Sequence, residues 1–386
     1  MGPVHGAMYK SCFPRPIVVP SIQFFLCGSP GRRMTVYPKY KVAAAHVASV
    51  YGDSDKTVDK ACACISQAAA NGARLVAFPE SFIPGFPNWA IALSPLEAAP
   101  HFARLAAQAI RIDGPELARI RAAARRHDIF VSMGFTEGTA VSVGCLWNSN
   151  ILIGPDGAIL NHHRKLVPTF FEKLVWAGGD GSGLVVRDTD IGRVGMLICG
   201  ENTNPLARFS LMAQGEQLHI STYPALSIVA ANGAFPAYDL DQAIRIRAAA
   251  HSFEAKVFNI VVSAFYDKSA EDYMKSLGPE VARRIDTNTR GISMVVGPAG
   301  SIVSETLCES EGFVYAEIDL AEAVEHKRVH DVVGYYNRFD IFKLSVNRSS
   351  NRPIYFSAEQ QKHDEPSLPA SLAADAAAFH ETIVND

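Results

Sequence analysis

From Lys41 onward, short apolar runs alternate with longer segments whose apolar residues return at helical spacing. Residues 42–50 read as a buried strand. Asp53 or Ser54 is placed to cap the helix after it, which runs to about Ala70 and stops near Asn71-Gly72. A second strand over 75–78 ends at Pro79-Glu80, and helical patterns over 95–110 and 116–127 lead to a strand over 129–134. The pattern then changes. Residues 148–153, the turn Gly154-Pro155-Asp156-Gly157 and residues 158–164 read as strand, tight turn and strand. The same arrangement returns over 292–296, Gly297-Pro298-Ala299-Gly300 and 301–305. Between the two lie a strand over 194–198, a helix near 205–214, a strand over 219–222, a helix over 240–254 and a strand over 257–264. Strands joined both by helices and by hairpins predict an α/β chain with mixed rather than purely parallel sheets.

Composition narrows the class of protein. Of 386 residues, 48% are hydrophobic and 19% charged, enough apolar material for a sizeable core. A formal charge of -3 gives no reason to expect a nucleic-acid partner, and no apolar run approaches the ~18 residues of a membrane helix. Seven cysteines spread thinly over the chain are an odd count and no disulfide framework, which fits a reducing cytoplasm. Cys62 and Cys64 stand at i and i+2 of a helical pattern and point apart, as core residues rather than metal ligands. His162 and His163 are adjacent on an extended segment and face opposite sides.

No linker of distinctive composition divides the middle of the chain, so one domain over 38–350 is expected. Residues 1–37 read as a largely disordered extension. Lys10 and Arg15 precede an apolar stretch that imitates a signal peptide, but Pro20 and Gln23 interrupt it and no small-residue cleavage site follows. Residues 351–386, rich in Ala, Ser, Gln and His, read as a partly ordered tail or a subunit contact.

The chemistry concentrates at three strand ends. The run Val194-Gly195-Met196-Leu197-Ile198 delivers Cys199 into a loop, where a thiol is placed to act as a nucleophile. A free thiol begins near pKa ~8.5, so it needs a base or a cation beside it. Glu80, after its apolar strand, is a candidate base whose pKa would rise in apolar surroundings. Lys165 is a candidate cation that would favour the thiolate and stabilise negative charge on the substrate. The N–H of Gly200 is a plausible second donor. Glu172 sits in an aromatic setting and is placed to hold Lys165 or a water. Each of these residues alone is as well explained by a solvated loop. Their joint presence carries the reading.

Taken together the segments resemble the nitrilase superfamily of carbon–nitrogen hydrolases over roughly residues 38–348. Phe78-Pro79-Glu80, His163-Arg164-Lys165-Leu166-Val167-Pro168-Thr169 and the Cys199 strand end match, in order and spacing, its glutamate, lysine and cysteine triad. Glu172 falls at its second glutamate. Trp176-Ala177-Gly178-Gly179-Asp180-Gly181-Ser182, Asn204-Pro205-Leu206-Ala207-Arg208, Gln214-Gly215-Glu216-Gln217, Tyr223-Pro224 and the run from Tyr336 to Phe342 resemble the nitrilase branch. Many nitrilases carry tryptophan after the cysteine, whereas this chain has Gly200, a departure that bears on substrate preference and product.

The resemblance implies a four-layer αββα sandwich and the hydrolysis of an organic nitrile to acid and ammonia through a thioimidate and a thioester. It implies no metal or organic cofactor and a homodimer or larger spiral assembly. An amidase and a nitrile-hydrating enzyme on the same site are the rivals, and an inactive scaffold of the same fold is the remote one. Trp89, Phe170, Trp176 and Tyr223 are candidates to line the acyl pocket, although each serves equally well as core.

Overall fold

The structure is a computed structural model that describes residues 37–225, 239–284 and 291–351. The expected extension and tail therefore lie outside the described residues, apart from Tyr37 and Asn351 at their inner ends. The strands in chain order are β1 (Lys39–His46), β2 (Ala73–Ala77), β3 (Phe130–Glu137), β4 (Trp147–Ile153), β5 (Ile159–Arg164), β6 (Arg187–Thr189), β7 (Gly192–Ile198), β8 (Leu218–Tyr223), β9 (Phe258–Ser263), β10 (Met294–Val296) and β11 (Gly312–Asp319). The helices are α1 (Ser54–Ala70), α2 (Trp89–Ala92), α3 (Ala99–Gln108), α4 (Pro115–Arg126), α5 (Pro205–Met212), α6 (Leu240–Ala255), α7 (Lys268–Ser276), α8 (Pro279–Arg284) and α9 (Glu322–Val329).

Two mixed sheets result. One has the order β11-β1-β2-β3-β4-β5 and the other β10-β9-β8-β7-β6. Each has three parallel strands at its heart, β1-β2-β3 and β7-β8-β9, flanked by antiparallel neighbours. Both faces of the first sheet are buried, so β1 is a near-continuous apolar run, as a strand covered on two sides must be. Ala43 and Ala45 point out to α1 and α4, whose Val58, Ala61, Ile65, Leu117 and Ile120 complete an outer core. Val42 and Ala44 point the other way, against Met196, Ile220 and Ile260 of the second sheet. Ile244 and Ala248 of α6 cover the far side of that sheet. The layers are thus αββα. Each fully buried Val, Leu or Ile contributes ~1.5–3 kcal/mol, which makes the inter-sheet core the main force joining the halves.

Local signals account for the boundaries. Asp53 accepts from Lys56 N at the start of α1, and buried residues recur along that helix at the spacing of one face. Cys64 belongs to the outer core and Cys62 packs beside it. No helix among the described residues is long and apolar enough to cross a membrane.

Besides β6, α7 and α8, which the pattern does not predict, three regions differ from the sequence expectation. β11 pairs with the whole of β1 although its pattern predicts no strand. The hairpin partner expected over 301–305 forms only isolated bridges, Val296 to Ile302 and Ser293 to Leu307. The helix expected over 95–110 begins at Ala99, behind the separate short turn of α2.

Candidate active site

Glu80, Lys165 and Cys199 each lie just beyond the C-terminal end of a strand, β2, β5 and β7 respectively. Phe78 N still donates to Ser132 O of β3 at 2.8 Å, so the chain leaves the sheet only at Pro79. It crosses β3 at Gly134, where a Cβ would stand 2.1 Å from Pro79 O, so only glycine lets this loop pass. Glu80 N then donates to Tyr223 O at the end of β8, at 3.3 Å, joining the base to the second sheet.

The side chains converge. Lys165 Nζ donates to Glu80 Oε1 at 2.6 Å and to Glu172 Oε2 at 2.7 Å, and all three groups are buried. Asn148 Nδ2 donates to the same Glu80 oxygen at 2.6 Å, while Asn148 O accepts from Lys165 N at 2.8 Å. Glu172 is the third residue of the 3-10 turn Phe170–Leu174, and its Oε2 also accepts from Thr169 N at 2.9 Å. Glu80 Oε2 has no hydrogen-bond partner among the described residues. One oxygen is anchored and the other is left to exchange a proton.

Electrostatics follow from two carboxylates sharing one ammonium away from water. Burial pushes Glu80 up to about 7, against the pull of Lys165 and with the help of Glu172. Burial also works against the Lys165 cation, but Glu80, the Cys199 sulfur and Glu172 outweigh it and hold Lys165 charged, above the usual lysine range. The Cys199 thiol is pushed up by burial and by Glu80, and Lys165 pulls it back. The resting nucleophile is therefore a thiol, and a base beside it has to remove its proton.

Cys199 opens a 3-10 turn, Cys199–Thr203, with φ of 49°, a left-handed conformation that costs a non-glycine residue ~1 kcal/mol or more. The turn is held from beneath. Asn202 Nδ2 donates to Cys199 O at 3.1 Å and to Leu197 O at 3.3 Å. Its Oδ1 accepts from His219 Nε2 at 3.0 Å, and His219 Nδ1 meets Glu216 Oε1 at 2.6 Å. The other Glu216 oxygen bonds His251 Nε2 at 2.7 Å. Donor atoms of Glu216, His219 and His251 lie within 4.8 Å of one another, the spacing of a metal site. Both carboxylate oxygens are already engaged by imidazole, however, so the cluster stands as a hydrogen-bond network built on Glu216.

The remaining candidates are placed as follows. Gly200 follows the nucleophile, and a Cβ there would stand 2.9 Å from Thr169 Oγ1. Trp176 is buried with its ring edge-on to Phe86 at 5.5 Å, and Tyr223 is buried against α6. Trp89 lies beside His101 and lines a cavity with Tyr51 and Tyr273. Phe170 is 73% exposed, its ring against Phe171. A small cavity of about 20 Å³ is lined by Glu80 itself, with Tyr51, Phe86, Asn88, Phe265 and Tyr266 among its walls. These wall residues, Asn148, Asn202 and the buried Glu201 were missed from sequence. The one available signal was Glu216-x-x-His219, two chemical groups three residues apart in a motif noted for other reasons.

Comparison with known proteins agrees with this arrangement. The carbon-nitrogen hydrolase family model matches residues 41–328. A nitrilase of Paraburkholderia phymatum is 34% identical over 316 residues, covering 81% of this chain and 88% of its own. A cyanide hydratase of Gibberella baccata is 35% identical over 328 residues, 82% of this chain and 89% of its own. Among solved structures, the C. elegans NitFhit protein superposes with a TM-score of 0.61 at 20% identity, over 83% of this chain and 70% of its own. The chain belongs to the carbon-nitrogen hydrolase family, in its nitrilase branch. It is an enzyme of that family.

Proposed function

We propose that the protein is a nitrilase that converts an organic nitrile to its carboxylic acid and ammonia. The observation that carries this reading is the buried Glu80–Lys165–Glu172 cluster beside Cys199, with one glutamate oxygen unpartnered. The named relatives, a nitrilase and a cyanide hydratase, support nitrile carbon as the point of attack.

In this reading Glu80 takes the proton of Cys199, and the thiolate adds to the nitrile carbon. Negative charge develops on nitrogen, where Lys165 opposes it and Glu80 returns the proton, giving a thioimidate. Water adds to that carbon with Glu80 as base. The hydroxyl group then gives up its proton as its oxygen becomes the carbonyl of a thioester, and the C–N bond breaks. Nitrogen leaves as ammonia carrying both protons of the water, one held by Glu80 and one from the hydroxyl. The thioester that remains is attacked by a second water, and breaking its C–S bond restores the thiol. Two waters are consumed per nitrile, and Glu80 ends each turnover as it began. Glu172 holds Lys165 on the side away from Glu80, which fixes the ammonium between two carboxylates.

The expected single domain over 38–350, cytoplasmic location and homo-oligomer belong to the same proposal. Apolar Ile246 and Phe253, exposed on α6, are consistent with a subunit contact. A second reading, hydration to the amide, is favoured by the cyanide hydratase relative and concerns only which bond of the tetrahedral intermediate breaks. The test is a panel of paired nitriles and amides, with ammonia, acid and amide measured and a Cys199→Ala variant as blank. Acid plus ammonia from nitriles alone supports the nitrilase. Amide without ammonia establishes the hydratase, turnover of amides alone an amidase, and no turnover of either sinks the proposal.

A further inference from the structure

Glu201 stands two residues beyond Cys199, with its carboxylate buried between the two sheets. Its Oε2 accepts from Ile198 N at 2.8 Å and from His163 Nε2 at 2.9 Å, and its Oε1 accepts from Leu166 N at 2.5 Å. Ile198 immediately precedes the nucleophile and ends β7. Leu166 immediately follows Lys165, and His163 lies on β5 two residues before it. One carboxylate thus joins the N–H of the residue before Cys199 to the N–H of the residue after Lys165, although β7 and β5 belong to different sheets.

We propose that Glu201 is a positioning residue that sets the separation between the Cys199 thiol and the Lys165 ammonium. The proposal rests on the reading of these two as nucleophile and cation. Three N–H donors converge on the group, and a carboxylate accepts them all. A glutamine of the same shape would turn an NH₂ group against at least one of them. Burial works against the Glu201 charge, yet the adjoining His163 and the backbone donors hold its pKa below the usual glutamate value, so the acceptor stays fully ionised. The bracket fixes two backbones rather than touching substrate, and its loss acts through geometry.

The test compares Glu201→Gln with Glu137→Gln in the full chain. Glu137, at the end of β3, is a similarly buried carboxylate that accepts from Arg164, Ser149 and His162, without a bond to β7 among the described residues. Melting temperature, kcat and KM, and the rate of Cys199 alkylation by iodoacetamide are measured well below both melting transitions. Glu201→Gln is expected to lower kcat about 10²-fold, the effect of a misplacement near ~1 Å, with KM nearly unchanged. Alkylation should slow by roughly tenfold as the cation moves away from the thiol. Glu137→Gln should lose stability while keeping both rates within a factor of about three.

Wild-type kcat and alkylation in Glu201→Gln would overturn the proposal, as would equal losses in both variants. If Glu201→Gln does not fold, His163→Gln keeps an N–H donor and removes the imidazole. The same signature, smaller, is then expected, and wild-type rates overturn the assignment. Alkylation requires no nitrile. A chain inactive on nitriles would therefore sink the nitrilase reading while leaving the role of Glu201 open to the same measurement.

Discussion

Glu80–Lys165–Glu172 and Glu216–His219–His251 are both buried clusters of carboxylate and basic nitrogen groups, yet their carboxylates are tuned in opposite directions. In the first, two carboxylates share one ammonium and Glu80 keeps an oxygen without a partner, so burial prevails and raises it to about 7. In the second, burial also opposes the charge on Glu216, but two imidazoles engage both oxygens and hold it at about 2. Burial alone does not make a base. An unengaged oxygen and an excess of negative charge do, and a carboxylate deprived of both becomes a fixture.

The largest test of that contrast is Glu80→Gln, which keeps the shape and removes the base. It should lower kcat/KM by about 10³-fold, within the range for a general base. Wild-type kcat/KM should fall as pH drops through about 7, when Glu80 takes a proton and can no longer accept one from the thiol. A pH profile flat between 5 and 8, roughly spanning that ionisation, would place Glu80 with the fixtures.

Glu216→Gln should do the reverse, destabilising the fold by about 3 kcal/mol, as breaking a buried charge network does, and changing kcat far less. Urea melts across pH sharpen the comparison. The folded pKa of Glu216 lies below its ordinary value, so its stabilisation is complete above about 4.5 and is lost as pH falls toward about 2. His251 is lowered to about 4 by burial and by neighbouring His219, so the unfolded chain takes up its proton first and stability also falls from about pH 6.5 downward. Glu80 has the opposite sign. Its raised pKa costs stability as pH rises from about 4.5 through about 7, and Glu80→Gln should remove that loss. A wild-type stability that only rises over this range, unaltered by Glu80→Gln, would refute the assignment.

The smallest effect expected is from Gly200→Ala. Its Cβ would meet the Thr169 hydroxyl, which turns away, so the stability cost should be below ~1 kcal/mol. A change of KM that grows with nitrile bulk would place this turn at the substrate. Identical KM values would remove it from the pocket wall.

The alternating core and the three strand ends were legible because they rest on local signals. Apolar runs, Gly-Pro turns and caps lie within a few residues of what they specify. Glu80 and Cys199 follow apolar runs, and Lys165 follows the hairpin set by Gly154-Pro155-Asp156-Gly157. β11 escaped because its pattern is half exposed and its partner β1 lies some 270 residues earlier, as Ala43 and Tyr315 show. Glu201 and Glu216 escaped for a related reason. A carboxylate in a chain looks solvated, and only the fold reveals that His163 and His251 face it from 38 and 35 residues away. The aromatic candidates end in different surroundings, Trp89 beside His101, Trp176 against Phe86, Tyr223 against α6 and Phe170 exposed, because proximity in sequence says little about which wall a ring joins. Phe265 and Tyr266 line the Glu80 cavity from a distant segment, just after β9.

The thiol comes from one sheet, and its base and cation come from the other, with the inter-sheet core between them. Either sheet folded by itself would hold half a reaction centre. In refolding, helical signal would return as each half forms, whereas turnover would return only when the halves dock. Enzyme activity in this molecule is thus a clock for the last event of its assembly.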